Sequence, residues 1–303
     1  MTAYSDLVLS DFPVVCIGMF DGVHRGHQAL LATGREMATE QNTDLVALTF
    51  DPHPLYVLKP ASAPPMITSL QQRTRLLKKF GADHIVVKPF TQEFSELSSE
   101  QFFTQVIIDE LSAAAVIVGK NFTFGHRASG DVSTLQALGQ ESGVQVVGLD
   151  LAADREPISS SRIRRLILEG DIESATDLLG HDYALAGVVV SGDQRGRELG
   201  YPTANLNWSG ECLVPADGVY AGFLHYQEQR LASAISVGSN PQFGGESRRI
   251  EAFILDGVHW ELYGHEVEFE FTQYLRPQQV FDGLDLYLAQ MGVDVDRARS
   301  ATQ

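Results

Sequence analysis

The sequence predicts an α/β domain built on a parallel sheet, followed by a small antiparallel β-barrel that closes with a helix. Three observations carry this. Five apolar, β-branched runs alternate with helical patterns through the first half, which argues for strands covered on both faces. Beyond Tyr183 the strands shorten and alternate apolar with polar residues, as barrel strands do. The chain then returns to helical spacing near its end. The expected domains span 1–183 and 184–303, and 303 residues suffice for two cores.

The first strand is Val14-Val15-Cys16-Ile17, bounded by Gly18. The chain then breaks through Gly18, Asp21 and Gly22 and delivers His24-Arg25-Gly26-His27 at the start of a helix. Free N–H groups and the helix dipole at such a start favour a phosphate. Gly26 lacks a Cβ, so a nucleotide can approach the backbone there. Protonated imidazoles at His24 and His27 would stabilise charge developing on a polyphosphate.

A second strand, Leu45 to Phe50, stops at Asp51-Pro52-His53-Pro54, where two prolines forbid continuation. Pro60 to Pro65 reads as a loop. Ser69 and Gln72 form a capping-box signature for a helix that carries Leu70, Leu77 and Phe80 and closes at Gly81. His84 to Phe90 is a third strand. Ser98 and Gln101 open another helix, with Phe103, Ile107 and Leu111 on one stripe. Ala114 to Gly119 and Val144 to Leu149 complete the sheet. Ligands of such sheets sit beyond the carboxyl ends of the strands. At those ends there is no GxxxxGK[ST] and no GxGxxG, so neither a P-loop nor a dinucleotide fingerprint is indicated.

An acidic helix follows between Gly170 and Gly180. The barrel strands are then ALAGVVV, GVYAGFLHY, LASAISVG, RRIEAFIL and EVEFEFTQYL; in the last, Val267, Phe269 and Phe271 are expected inward, Glu268, Glu270 and Thr272 outward. The closing helix carries Phe281, Leu284, Leu288 and Met291 on one stripe. Between the first two barrel strands lies a glycine-rich loop from Gly192 to Gly200, leading into Pro202-Thr203-Ala204-Asn205. Its glycines permit close approach to a phosphate, and a Thr hydroxyl with an Asn amide can ligate Mg²⁺ through oxygen.

Composition narrows the function class. A net charge of −17, from 22 Lys and Arg against 39 acids, argues against a nucleic-acid partner. No apolar run approaches a membrane span, and no signal peptide is expected, so the expected location is cytoplasmic. Cys16 and Cys212 form neither a disulfide framework nor a zinc pattern. Oligomeric state is not legible.

The string GMFDGVHRGHQ resembles the nucleotidylyltransferase superfamily, and within it the adenylyltransferase module of prokaryotic bifunctional riboflavin kinase/FAD synthetases. That resemblance implies a Rossmann-like nucleotidylyltransferase domain followed by a riboflavin kinase barrel. His24, His27 and Arg162 would then be catalytic in adenylyl transfer, with Gly18, Phe20, Asp21 and Gly26 holding the nucleotide. Gly119-Lys120-Asn121-Phe122-Thr123-Phe124-Gly125 is similar to the family's GxxFxFG segment, which implies nucleotide and flavin contacts at Asn121 and a flavin contact at Phe124. Ile158 to Arg164 resembles the ISSTxIR motif, with Ser161 where Thr is usual; Ser160, Ser161 and Arg164 would hold phosphate. Met19 stands where the family often has Asn.

The loop from Gly192 to Asn205 is similar to the kinase signature GxGRGRxLGxPTAN, which implies ATP contacts at Gly196, Arg197, Thr203 and Asn205, the last two also binding Mg²⁺. Glu251 matches the family's general base, and Arg276 lies in an LRxxxxF segment near the flavin. Gln242 replaces the usual Thr of GxxPTF, which would weaken the kinase. The implied activity is phosphorylation of riboflavin by ATP to give FMN, then adenylylation of FMN to give FAD and pyrophosphate. The rivals are a chain with one active module, and a non-catalytic flavin or nucleotide sensor.

Overall fold

The computed structural model describes residues 12–150, 157–192, 200–208, 210–239, 248–258 and 260–303. The chain divides into two compact units, Met1–Pro64 with Leu70–Ser159, and Pro65–Ser69 with Ser160–Gln303.

The first unit contains β1 (Val14–Ile17), α1 (Arg25–Gln41), β2 (Leu45–Asp51), α2 (Pro54–Leu58), α3 (Leu70–Lys79) and β3 (His84–Pro89). After these come α4 (Gln92–Ser95), α5 (Ser99–Phe102), β4 (Ala115–Gly119), α6 (Val132–Ser142) and β5 (Gln145–Leu149). The five strands pair in parallel in the order β3-β2-β1-β4-β5. Strand order reverses between β1 and β4, and the crevice at such a reversal is where open α/β sheets take ligands.

The period of two along β1 explains its burial on both sides. Val15 and Ile17 join one core layer with Val46, Leu48, Val116 and Val118. Val14 and Cys16 join the opposite layer with Leu30 and Leu31 of α1 and Leu77 of α3. Gly34 is where α1 presses hardest on the sheet. A Cβ there would lie 2.6 Å from Cys16 Sγ and 2.7 Å from Leu45 Cδ1, so only glycine fits.

The Ser98 capping box forms in full, with Gln101 Oε1 accepting from the Ser98 amide at 2.9 Å. The helix it opens differs from a regular one, because Phe103–Glu110 widens into a π-helix that still buries Phe103, Val106 and Ile107. Pro54, which ends the strand pattern, starts the short α2 at its first turn.

The second unit begins with α7 (Ser160–Glu169) and α8 (Ile172–Leu179). It continues with β6 (Tyr183–Val190), β7 (Thr203–Asn207), β8 (Gly218–Tyr226), β9 (Gln229–Gly238), β10 (Arg249–Ile254) and β11 (Glu266–Arg276), and ends in α9 (Leu284–Ala301). The strands close a barrel in the order β10-β7-β6-β11-β8-β9. β7 was not anticipated as a strand: it has five residues, two of them Asn, and little β propensity of its own. Pairing with β6 on one side and β10 on the other supplies what propensity does not.

Two expectations about packing are corrected. Glu270 is buried rather than outward, because His225 Nε2 and Arg230 Nη2 each reach its carboxylate at 2.5 Å. On the closing helix, Phe281 precedes the first turn and Leu284 is exposed. Met291 packs as expected, and it shares its face with Tyr287, Asp294 and Ala298, an apolar stripe interrupted by a buried charge.

Candidate active sites

In the first unit, the loop after β1 is shaped by side chains that sequence reasoning missed. Arg73 of α3 is fully buried; its guanidinium donates to the Met19 carbonyl at 3.1 Å and to Asp51 Oδ1 at 3.1 Å. Thr49 Oγ1 donates to the same carbonyl at 3.0 Å. Two donors on one carbonyl fix the loop where it leaves the sheet. Phe20 and Val23 adopt left-handed backbone angles, φ 52° and 37°, and both side chains are buried. That strain is held by packing, as at many functional loops. Arg73 carries no local sequence mark, since a single Arg on a helix reads as a surface residue.

The loop delivers His24 to the N-cap of α1, where its Nδ1 accepts from the His27 amide at 3.4 Å. An accepting Nδ1 places the ring proton on Nε2. The two imidazoles stack with centroids 3.6 Å apart and planes 14° apart, and Phe20 meets His27 edge-on at 5.2 Å. Gly18, Asp21 and Gly26 belong to the same loop and first turn, with Asp21 and Gly26 buried.

His27 corrects the expected electrostatics. Burial of the ring, and then the neighbouring His24, hold its pKa well below the ordinary histidine value. Both effects favour the neutral ring. Its Nδ1 is buried and has no hydrogen-bond partner among the described residues.

At the carboxyl end of β4, the neighbour of β1, Asn121 is exposed in a turn and Phe124 sits in the core against Phe122 and Phe102, at 5.7 and 5.4 Å. Ser160, Ser161, Arg162 and Arg164 open α7, which groups with the second unit. Arg164 Nε donates to the Pro65 carbonyl at 2.8 Å, and Arg162 is half-buried.

In the second unit, Thr203 and Asn205 occupy alternate positions of β7 and so share a face, while Ala204 and Leu206 between and beyond them enter the barrel core. Glu251 of β10 pairs with Asn205, and Thr203 Oγ1 donates to Glu251 Oε2 at 3.3 Å. Asn205 lies against the backbone of Gly192, where a Cβ would come within 2.7 Å of its amide carbon; this explains the glycine. Gly196, Arg197 and Gln242 lie outside the described residues.

Thr203 and Glu251 open into a cavity of about 100 Å³ that α9 roofs with Tyr287, Met291 and Asp294. Arg276, at the end of β11, lines it too. The Tyr287 hydroxyl is pushed above its usual pKa by burial and by the Glu251 carboxylate. Gln278 Nε2 donates to Ser236 Oγ at 3.0 Å on the cavity wall. The Thr203 hydroxyl and the Asn205 amide oxygen are hard oxygen donors, a pair that fits Mg²⁺ rather than a softer metal.

Family models match both halves: FAD synthetase over residues 10–162 and riboflavin kinase over residues 179–302. A Listeria monocytogenes bifunctional riboflavin kinase/FMN adenylyltransferase is 35% identical over 95% of this chain and 91% of its own. The proteins of the same description from Escherichia coli K12 and Bacillus subtilis are each 33% identical, over 94% of this chain and 91% of theirs. A solved structure from Streptococcus pneumoniae, described as a macrolide-efflux protein, superposes with a TM-score of 0.86 at 31% identity, covering 99% of this chain and 97% of that one. No helix among the described residues is long and apolar enough to cross a membrane. With a matching model on each half, and relatives that align along nearly its full length, this chain belongs to the bifunctional riboflavin kinase/FMN adenylyltransferase family.

Proposed function

We infer that this chain makes flavin cofactors in two steps, phosphorylating riboflavin to FMN with ATP and adenylylating FMN to FAD with release of pyrophosphate. The observation that carries the first step is the Thr203–Glu251 hydrogen bond at the mouth of the α9-roofed cavity. There the Glu251 carboxylate accepts the proton of the ribityl hydroxyl as its oxygen attacks the γ-phosphorus of ATP. Thr203 and Asn205 hold Mg²⁺, which supplies neutralisation of the phosphate charge when bound. Gly196 and Arg197 take the ATP phosphates by the resemblance noted above.

For the second step, an FMN phosphate oxygen attacks the α-phosphorus of ATP and pyrophosphate leaves. His24 and His27 donate hydrogen bonds to the phosphates at the N-terminus of α1, with Gly18, Phe20, Asp21 and Gly26 shaping the nucleotide loop. Ser160, Ser161, Arg162 and Arg164 act as phosphate ligands, and Asn121 and Phe124 as flavin contacts. Neither step needs a covalent enzyme intermediate, so positioning and electrostatics supply the rate. We place the functional boundary at residues 183 and 184, at the start of β6; the two family models, ending at 162 and starting at 179, support a division in this region.

Chromatography of flavins tests this directly. Purified protein with riboflavin, ATP and Mg²⁺ is expected to give FMN and then FAD. FAD formed only from supplied FMN would remove the kinase step and implicate Gln242; no turnover with either flavin would leave a flavin-binding sensor.

A further inference from the structure

The cavity under α9 contains a charge that neither the reaction nor the family motifs assign. Asp294 is 5% exposed, on a helix face that is otherwise apolar. Its carboxylate takes Arg276 in a fork: Nε lies 2.9 and 3.0 Å from the two oxygens, and Nη2 lies 2.6 Å from Oδ2. Gln290 Nε2 donates to Asp294 Oδ1 at 2.9 Å, from one turn earlier on α9. The fork fixes the plane of the guanidinium, because two parallel donors meet two acceptors. A third direction is fixed by Nη1, which donates to the Pro277 carbonyl at 2.9 Å.

Counting donors gives the consequence. A guanidinium has five N–H groups. Nε, one hydrogen of Nη2 and one of Nη1 are engaged by these bonds. Among the described residues the second hydrogens of Nη1 and Nη2 carry no further bond, and Arg276 lines the cavity together with Thr203 and Glu251. Burying two charges beside a substrate cavity is costly, and an apolar pair of similar volume would dock α9 as well or better. Docking the helix is thus a poor account of why the pair is ionic.

We propose that Asp294 is a positioning residue for riboflavin recognition: it holds Arg276 so that its two remaining N–H groups face the carbonyl edge of the flavin ring. This rests on the flavin-contact reading of Arg276. Asp294 itself touches no substrate; it acts through the guanidinium. A flat ring with carbonyl acceptors along one edge is the ligand that a fixed planar donor pair selects.

The test uses the full-length chain with D294N, D294E and R276Q, and the double variant R276Q/D294N. Riboflavin phosphorylation is measured, with FAD formation from supplied FMN as the control for folding. D294N is expected to raise the KM for riboflavin about tenfold, with kcat and the KM for ATP within about twofold of the parent. D294E is expected to recover part of that loss. Lumichrome, which keeps the ring and lacks the ribityl chain, is expected to bind D294N more weakly by the same factor. The double variant is expected to lose no more than R276Q alone.

If R276Q leaves the riboflavin KM unchanged, Arg276 is not a flavin contact and the underlying reading fails. If R276Q raises that KM while D294N does not, Asp294 does not position Arg276 and the proposal alone fails. A D294N protein that loses kcat and FAD formation together would show a merely structural role, and would also overturn the proposal.

Discussion

The imidazoles of His24 and His27 lie face to face, centroids 3.6 Å apart, and the His27 amide is capped by His24 Nδ1. Two protonated rings at that separation would repel strongly, so the buried cap and its half-buried partner are compatible only if at least one ring stays neutral. The arrangement separates two roles that the motif alone leaves merged: His24 orders the helix start, and His27 presents a ring whose proton is easily lost.

The His27 ring is therefore expected to stay neutral well below pH 6.5 in the ligand-free protein, read by imidazole NMR. Nucleotide binding is expected to raise its pKa, since a polyphosphate favours the charged form. The sign for stability follows from linkage. A folded-state pKa below the unfolded value means that the unfolded chain binds more protons, so this group's contribution is present above about pH 6.5 and is lost as pH falls. A ligand-free titration at or above the ordinary value would remove the argument.

H27A is expected to lower FAD formation from FMN by about 10²–10³-fold, the range for removing one donor to developing phosphate charge. Riboflavin phosphorylation by the same preparation is expected to be within twofold or so of the parent. Equal loss of both activities would mean that His27 matters for folding.

E251Q reverses the pattern. Removal of a general base is expected to cost the kinase about 10²–10⁴-fold, while FAD formation from supplied FMN persists. The Gln keeps the hydrogen bond to Thr203, so the strand pairing around it is undisturbed. Full kinase activity in E251Q would exclude the assigned base.

Glu270 carries the pH dependence of the barrel. Burial works against its charge, but the His225 and Arg230 hydrogen bonds and charges prevail and bring its pKa down to about 2. A carboxylate depressed in the folded state stabilises above its unfolded pKa, and this contribution is lost as pH falls from about 4.5 towards 2. Asp182 moves the other way, its pKa raised by burial and by Glu270, and offsets part of this slope. E270Q is expected to cost about 1–3 kcal/mol at pH 7, discounted because Arg230 is half-exposed. Urea unfolding at pH 3, 5 and 7 checks it: the gap between E270Q and parent is expected to shrink towards pH 3.

G34A is expected to destabilise the first unit by about 1–3 kcal/mol, since the added methyl meets Cys16 Sγ and Leu45 Cδ1 inside contact distance. A thermal shift of the parent and variant measures it. An unchanged midpoint would mean that α1 lifts off the sheet without cost.

Most of this architecture is legible in the chain because it rests on local rules. Alternation and apolar runs mark ten of the eleven strands, and the capping box at Ser98 can be read directly from its residue types. What escapes sequence reading depends on partners distant in the chain. β7 is a strand only because β6 and β10 flank it. Arg73 is buried only because Met19 and Asp51, 54 and 22 residues away, converge on it. Glu251 has no local mark, and acquires a role from Thr203, 48 residues upstream. Asp294 reads as a solvent-facing acid until Arg276 meets it across 18 residues. The neutral state of His27 also depends on tertiary burial, which residue type does not report.

The alternation of β7 has a consequence for how this site tolerates change. Thr203 and Asn205 share one face and Ala204 enters the core because they differ by an even and an odd step along one strand. The face that the proposed kinase site uses is thus set by parity. Residues inserted or deleted before Thr203 leave the parity intact. One residue inserted directly after Thr203 puts a methyl where the Asn205 amide stood and sends the amide into the barrel interior. Both neighbours would then be out of step, and the ladder that locates the chemistry would oppose its own repair.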